Sequence, residues 1–295
     1  MNPDEYQYLN ILKKVKEEGV LKNGRNGNTY SYFGDILKFN IKNQFPLLTT
    51  KKIFFKGVVE ELLWFLRGSV NSKELEEKGV NIWKGNSNRE FLDANGFYNY
   101  EEGYLGPIYG FQWRSFNGEI DQLKYVLKEM NNNSRRIIIN AWNPCQLNKQ
   151  VLPPCHILYN FYISDNKEIN DDENNKNYKD LSCMMFMRSS DLFLGLPFNI
   201  ASTALFTYII AKVMGMNVKE VAISICDLHI YEEHLEGVDE QLKREPHKFP
   251  KLNIKKEIDI NLSIDEKIKW IESLVFEDFE LIDYNYHPII RGIMK

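Results

Sequence analysis

Cys155 stands in the run Leu152-Pro153-Pro154-Cys155-His156. Two prolines fix the backbone immediately before the thiol, and the apolar residues that follow read as a strand, so the thiol is presented at a strand edge. A cysteine acts as a nucleophile through its thiolate, which nearby positive charge favours. The alternative is a small residue of the core, because free cysteine is among the most buried residue types.

Positive charge is available at Arg25, at Arg135 and Arg136 after Ser134, and at Arg188 before Ser189. A guanidinium donates two parallel hydrogen bonds to a phosphate. Arg136 and Arg188 each abut an apolar run, where a cation is costly without an anionic partner. A ligand phosphate or a surface carboxylate would each meet that need. Asn199 follows Pro197 at the head of an apolar segment. Its amide either caps a helix or offers a donor and an acceptor to a base edge.

Asp227-Leu228-His229-Ile230-Tyr231 falls just past a predicted strand, a common place for site residues. His229 and His234 are five apart, the wrong spacing for two ligands on one helix face, so no metal is expected. The stretch 24–27, Gly-Arg-Asn-Gly, lacks the Lys-Ser/Thr of a phosphate-cradling P-loop and follows no clear strand.

The elements that must position these residues follow from periodicity. Tyr8, Ile11, Leu12 and Val15 give an amphipathic helix over 6–18, followed by a basic Gly/Asn loop at 22–28. Residues 29–41 alternate as strand, with Gly34 as a turn or bulge. Residues 54–66 are apolar on nearly every face and predict a buried helix ended by Gly68. A short surface helix is expected at 71–77, a turn-rich excursion at 86–104 and an amphipathic helix at 120–130. Strands are expected at 136–142, 157–163, 182–187 and 221–226, with a buried helix between the last two at 200–216. Residues 164–180, dense in Asn, Asp, Glu and Lys, read as a solvated hairpin insertion, and the tail from 264 mixes a helix with a short strand. No repeat or linker divides the chain. The expected fold is one α/β (α+β) domain over 1–295 with a large mixed sheet core.

At 43% apolar and 13% aromatic, the composition is that of a globular protein. Lys and Arg number 37 against 41 Asp and Glu, giving a net charge of -4. That balance offers no global attraction to nucleic acid or anionic membrane, so a phosphate needs a local basic pocket. Four cysteines without a CxxC pair point to a reducing compartment, hence the cytoplasm, and away from structural zinc. The apolar stretch at 200–216 is interrupted by Ser202, Thr203, Thr207 and Lys212 and is shorter than a membrane span.

The order of the segments says more than any one of them. Phe45 to Lys52, Glu60 to Leu66, Leu105 to Arg114, Ser134 to Ile137, Pro153 to His156, Gly195 to Ser202 and Asp227 to Tyr231 resemble, in that order, the thymidylate synthases, particularly the eukaryotic-type ones. That resemblance implies a homodimer with two sheets back to back. It implies methylation of dUMP to dTMP by methylenetetrahydrofolate, a cosubstrate that leaves as dihydrofolate, without a metal.

By the same resemblance, Cys155 is the nucleophile, Glu61 a general acid/base, and Tyr109 and His156 its neighbours. Arg25, Arg188 and Ser189 hold the dUMP phosphate, with Arg135 and Arg136 reaching it from the other subunit. Asn199 reads the uracil edge, and His229 and Tyr231 the ribose. Asp191, Trp83, Asn86 and Gly195 line the folate pocket, with Lys51 near the glutamyl tail. Converging arginines are expected to lower the thiol's pKa.

The chain departs from the usual family pattern at Met187, where a glutamine is common, at Ser190, Cys226 and Tyr104, and in its tail, Ile293-Met294-Lys295. The rival readings are a dUMP hydroxymethylase of the same superfamily and a catalytically silent RNA-binding homologue. Retention of Cys155, Glu61, Arg188, Asn199 and Asp191 together argues against silence, and the net acidity against RNA.

Overall fold

Residues 2–24, 27–166 and 179–292 are described by a computed structural model. Arg25, the tail 293–295 and residues 167–178 of the expected insertion lie outside them.

The parallel pair β5 (Lys179–Asp191) and β6 (Asn217–Tyr231) forms the centre of the fold. Parallel neighbours need a crossover, usually helical, and α8 (Gly195–Met214) supplies it. This helix is apolar around its whole circumference, and Ile200, Leu205, Phe206, Ile209, Ile210 and Val213 are fully buried against the sheet. Its hydroxyls bond back to its own carbonyls, Thr203 to Asn199 at 2.7 Å and Thr207 to Thr203 at 2.8 Å, so they cost little in an apolar setting. Gly215 closes it in the left-handed conformation at φ 64°. At 20 residues α8 is longer than expected, and by length and composition it could cross a membrane. Its position as the buried crossover of this sheet accounts for that composition.

The sheet is completed by β1 (Val20–Gly24), β2 (Gly27–Asn40), β3 (Ile138–Asn140) and β4 (His156–Asp165), in the order β1-β2-β6-β5-β4-β3. Every pairing except β5 with β6 is antiparallel, which makes the sheet mixed as expected. Leu181, Cys183, Met185 and Met187 alternate inward along β5. The opposite face bears a groove of about 1030 Å³ lined from β2, β4, β5 and β6 and by Arg135. No helical residue lines it.

On the covered side α1 (Pro3–Glu18) packs on β2, while α2 (Phe55–Leu66) lies between α8 and α6 (Tyr109–Ser115). Gly68, at φ 75°, ends the α2 turn, with its N–H on the Phe65 carbonyl at 2.9 Å. Three short helices, α3 (Lys73–Glu76), α4 (Lys84–Ser87) and α5 (Arg89–Ala94), order the excursion that reads as turns in sequence. Asn88 caps α5 by accepting the Phe91 N–H at 2.8 Å. The helix α7 (Gln122–Asn131) precedes β3. The chain closes with α9 (Leu235–Leu242), β7 (Lys251–Ile254), α10 (Ile264–Glu272) and β8 (Phe279–Ile282), with β7 and β8 forming a separate two-stranded sheet.

Two strands differ from expectation in a way that matters for the site. β3 is three residues long, and Arg135 and Arg136 precede it as exposed loop. β6 continues through Tyr231, so His229 and Tyr231 lie within a strand and not past its end. The period of two does persist there, in buried Leu228 and Ile230, but the polar residues between them read as a loop.

Candidate active site

Cys155 sits one residue before β4, and three independent contacts fix it. Its N–H donates to the Tyr109 hydroxyl at 2.7 Å. Its carbonyl accepts the Arg188 N–H at 2.9 Å. The Arg188 guanidinium donates to the carbonyls of Pro154 at 2.8 Å and Pro153 at 3.0 Å, and its Nη2 stands 3.5 Å from the thiol sulfur. The two prolines have no N–H of their own to satisfy, and Arg188 occupies both of their carbonyls, so the turn that presents the thiol is tied to β5.

Burial raises Cys155 above the ordinary cysteine value and Arg188 offsets only part of it. Among the described residues of this one chain, Arg188 is the candidate arginine beside the sulfur, and Arg25 lies outside the described residues.

Tyr109 and His156 stack, with ring centroids 4.0 Å apart and planes 12° from parallel. His156 is buried, with Nδ1 3.3 Å from the Tyr159 hydroxyl. Burial pushes it down to about 3, so near neutral pH its ring is an uncharged imidazole. Trp83 meets the Tyr109 ring edge to face, with centroids 6.1 Å apart, and donates from Nε1 to Glu61 Oε1 at 2.8 Å.

The neighbouring acids Glu60 and Glu61 are separated by helix geometry. Glu60 is buried and pairs with Lys78 at 2.6 Å. Among the described residues no cation pairs with Glu61, and burial raises it to about 7, with the Trp83 bond opposing. A carboxyl poised there serves as acid or base. Asn86 follows in α4, its N–H on the Trp83 carbonyl at 3.0 Å.

The ends of β5 and β6 gather the second group. The parallel register sets Asp191 opposite His229 and Ser189 opposite Asp227. The Ser189 hydroxyl lies 3.3 Å from His229 Nδ1, and the rings of His229 and Tyr231 meet edge to face at 5.4 Å. Burial lowers His229, against the pull of Asp191 and Asp227.

Asp191 accepts the N–H groups of Phe193 at 2.9 Å and Leu194 at 3.3 Å, shaping the turn into α8. A Cβ added at Gly195 would lie 3.7 Å from Asp191 and 3.9 Å from Asn199 Oδ1, so these three residues share one spot. Leu194 caps α8 and no side chain does, which leaves the Asn199 amide free of the capping role.

Lys51 is buried. It donates to the Phe193 carbonyl, and its ammonium stands 3.6 Å from the Phe193 ring centroid. Burial lowers it to about 7, against the attraction of Asp191. It therefore braces the turn from within the protein.

Arg135 and Arg136 do not join this group in the same chain. The Ile137 carbonyl accepts the Phe161 N–H, which places the pair far along β4 from Cys155, roughly 20 Å at the usual strand rise. Both are exposed, and Arg136 lies 3.9 Å from Glu129.

Sequence reasoning missed an apolar contact between the head of α2 and α8. Phe54, exposed at the head of α2, meets Phe198 across Gly57, where any Cβ would lie 2.7 Å from Phe54 and 3.4 Å from Phe198. The only signal was an exposed phenylalanine before a buried helix. Among the described residues no group of three or more His, Cys, Asp or Glu is placed to hold a metal ion.

Comparison with known proteins gives a consistent answer. The sequence model of the thymidylate synthase family matches residues 6–295. A bifunctional dihydrofolate reductase-thymidylate synthase of Paramecium tetraurelia is 45% identical over 97% of this chain and 60% of its own length. The thymidylate synthase of Homo sapiens is 43% identical over 97% of this chain and 89% of its own. That of Saccharomyces cerevisiae is 43% identical over 100% and 98%. The chain thus spans less than two thirds of the bifunctional relative and nearly all of the two others.

Proposed function

The chain belongs to the thymidylate synthase family, and on that premise we propose that it methylates dUMP reductively with methylenetetrahydrofolate, releasing dTMP and dihydrofolate. The Cys155 thiolate adds to ring carbon 6 and pushes an electron pair towards carbon 5. Carbon 5 attacks the folate's one-carbon unit, forming the new C–C bond. Loss of the carbon-5 proton and cleavage of the C–N bond free tetrahydrofolate and leave an exocyclic methylene. Hydride from tetrahydrofolate reduces the methylene to methyl, the electron pair returns through the ring, and Cys155 leaves as thiolate.

The observation that carries this reading is the fixing of Cys155 between Tyr109 and Arg188, with Glu61 reached through Trp83. Glu61 near 7 suits a group that both gives and takes protons. A neutral His156 and Tyr109 flank the thiol. Arg188, Ser189 and Arg25 take the phosphate, His229 and Tyr231 the ribose, and Asn199 the uracil edge. Asp191, Gly195, Trp83 and Asn86 take the folate, and Lys51 supports that side from within.

The protein acts as a cytoplasmic homodimer in this proposal. The uncovered sheet face with its groove is where a second copy packs, and Arg135 and Arg136, displaced from their own Cys155, reach the partner's phosphate. The added guanidiniums would then lower the thiol that burial raises, with the phosphate's own charge opposing them.

The test is to mix the protein with dUMP and methylenetetrahydrofolate, follow dihydrofolate absorbance and weigh the nucleotide product. Equal dihydrofolate and dTMP, both lost in Cys155→Ala, is the expected result. Hydroxymethyl-dUMP without dihydrofolate would select the hydroxymethylase, and no turnover would overturn the activity.

A further inference from the structure

Arg244, just past α9, contacts two stretches of chain that are distant in sequence. Its Nη1 donates to the carbonyl of Thr50 at 2.8 Å and to that of Pro288 at 2.7 Å, while its Nη2 pairs with Glu240. The side chain is 13% exposed. Thr50 lies in the segment that leads into α2, next to Lys51. Pro288 lies in the C-terminal strap, residues 283–292.

The strap runs from that segment to the Asp191 turn. Tyr284 donates to the Leu48 carbonyl at 2.8 Å, and the His287 N–H to the Thr49 carbonyl at 2.7 Å. Ile290 is buried over Gly237, whose added Cβ would lie 2.6 Å from Phe193 and 3.2 Å from Ile290. At Gly292 a Cβ would lie 3.1 Å from Leu194 and 3.2 Å from His234. The strap is therefore threaded closely under the Phe193-Leu194 turn that Asp191 caps and Lys51 braces.

We propose that Arg244 is a positioning residue for the folate side of the reaction: by bridging the Thr50 and Pro288 carbonyls it sets the register of the strap against the Lys51 segment, and through both it holds the Asp191–Leu194 turn. The inference rests on the assignment of Asp191 and Gly195 to the folate pocket. It requires arginine chemistry. The planar guanidinium is oriented by its Nη2 pairing with Glu240, which aims both protons of Nη1 at the two carbonyls, an orientation that a lysine ammonium on a flexible stem does not fix. The dUMP-binding group, Arg188, Ser189 and His229, is built on β5 and β6 and makes no contact with Arg244.

The test compares Arg244→Ala and Arg244→Lys with the native enzyme, reading kcat and KM for methylenetetrahydrofolate, calorimetric binding of dUMP alone, and amide hydrogen exchange of residues 284–292. Arg244→Ala is expected to raise the folate KM about tenfold and to speed exchange at His287, while dUMP affinity stays within about twofold. Arg244→Lys is expected to recover part of the KM. An unchanged folate KM, or equal weakening of dUMP and folate, would overturn the proposal. If Arg244→Ala does not fold, Arg244→Lys decides by the same comparison. Exchange needs no turnover: unchanged protection at His287 sinks the strap reading even in an inactive protein, and absent dTMP formation sinks only the proposed activity.

Discussion

The Tyr109 hydroxyl accepts the Cys155 N–H at 2.7 Å while the Tyr109 ring stacks on His156 at 4.0 Å. One side chain thus fixes the nucleophile's backbone and covers the next residue's ring. Tyr109→Phe separates the two duties, keeping the stack and removing the acceptor. An N–H left unsatisfied costs about 1–3 kcal/mol, so formation of the covalent adduct with fluorinated dUMP and folate should slow about tenfold to a hundredfold. Rapid quenching and mass detection of the adduct would measure this. An unchanged rate would mean that the hydroxyl does not position Cys155.

Glu61 predicts a distinctive pH dependence. Burial raises its folded-state value to about 7 from 4.5. Because the folded protein holds this proton more tightly than the unfolded chain, the associated stability is fully present below about pH 4.5 and is lost as pH rises to 7, amounting to about 3 kcal/mol. Glu61→Gln should therefore gain stability relative to native protein between pH 5 and pH 8, read by urea melts at each pH. The same substitution should remove a limb near pH 7 from the kcat/KM profile. A limb that persists in Glu61→Gln belongs to another group.

His156 works in the opposite direction. Held down to about 3 by burial, against an ordinary 6.5, it contributes stability that is present above pH 6.5 and lost as pH falls towards 3. Acid unfolding should begin in that window. Nuclear magnetic resonance of the His156 ring should show neutral imidazole throughout pH 5 to 8, and a protonation midpoint inside that range would refute its role as an uncharged neighbour of the thiol.

Much of this arrangement was legible because the chemistry sits at element ends marked by local signals. Pro153 and Pro154 announce the turn before Cys155, whereas Glu61 follows from the family resemblance, since its helix carries two adjacent glutamates. The strand β5 could be read from the apolar run at 182–187, while the inward alternation of Leu181, Cys183, Met185 and Met187 is visible only in the structure. The Glu60 and Glu61 assignments needed coordinates, because the Lys78 partner of Glu60 comes from a loop. Lys51, placed near the glutamyl tail by the resemblance, is buried against Phe193, a contact made across 142 residues of chain. The extension of β6 through His229 was hidden because polar site residues occupy alternate positions of that strand.

Arg188 should act on the thiol by charge and on the turn by hydrogen bonding. In Arg188→Ala the sulfur loses the guanidinium beside it, and the carbonyls of Pro153 and Pro154 lose their donor. The pH at which iodoacetamide alkylates Cys155 half-maximally should rise, and Arg188→Lys should fall between the two because it keeps charge without the fork. Alkylation profiles that coincide for all three proteins would remove Arg188 from any part in tuning Cys155.

The displacement of Arg136 from its own Cys155 makes a sharper prediction. If each site borrows Arg136 from a partner, Cys155→Ala and Arg136→Ala are each nearly inactive as homodimers, for different reasons. Mixing them under conditions that exchange subunits forms heterodimers in half of the population. In such a heterodimer the chain with intact Cys155 faces the chain with intact Arg136, so one site is whole and the other lacks both groups. About a quarter of native activity should return at equal mixing, the statistical share for a twofold-symmetric dimer. Mixing Cys155→Ala with Arg188→Ala offers the contrast. Arg188 serves the sulfur of its own chain, so the site that keeps Cys155 still lacks Arg188 after exchange, and no activity should return. Recovery in the second mixture as well as the first, or in neither, would show that the phosphate site is not divided between subunits in this way.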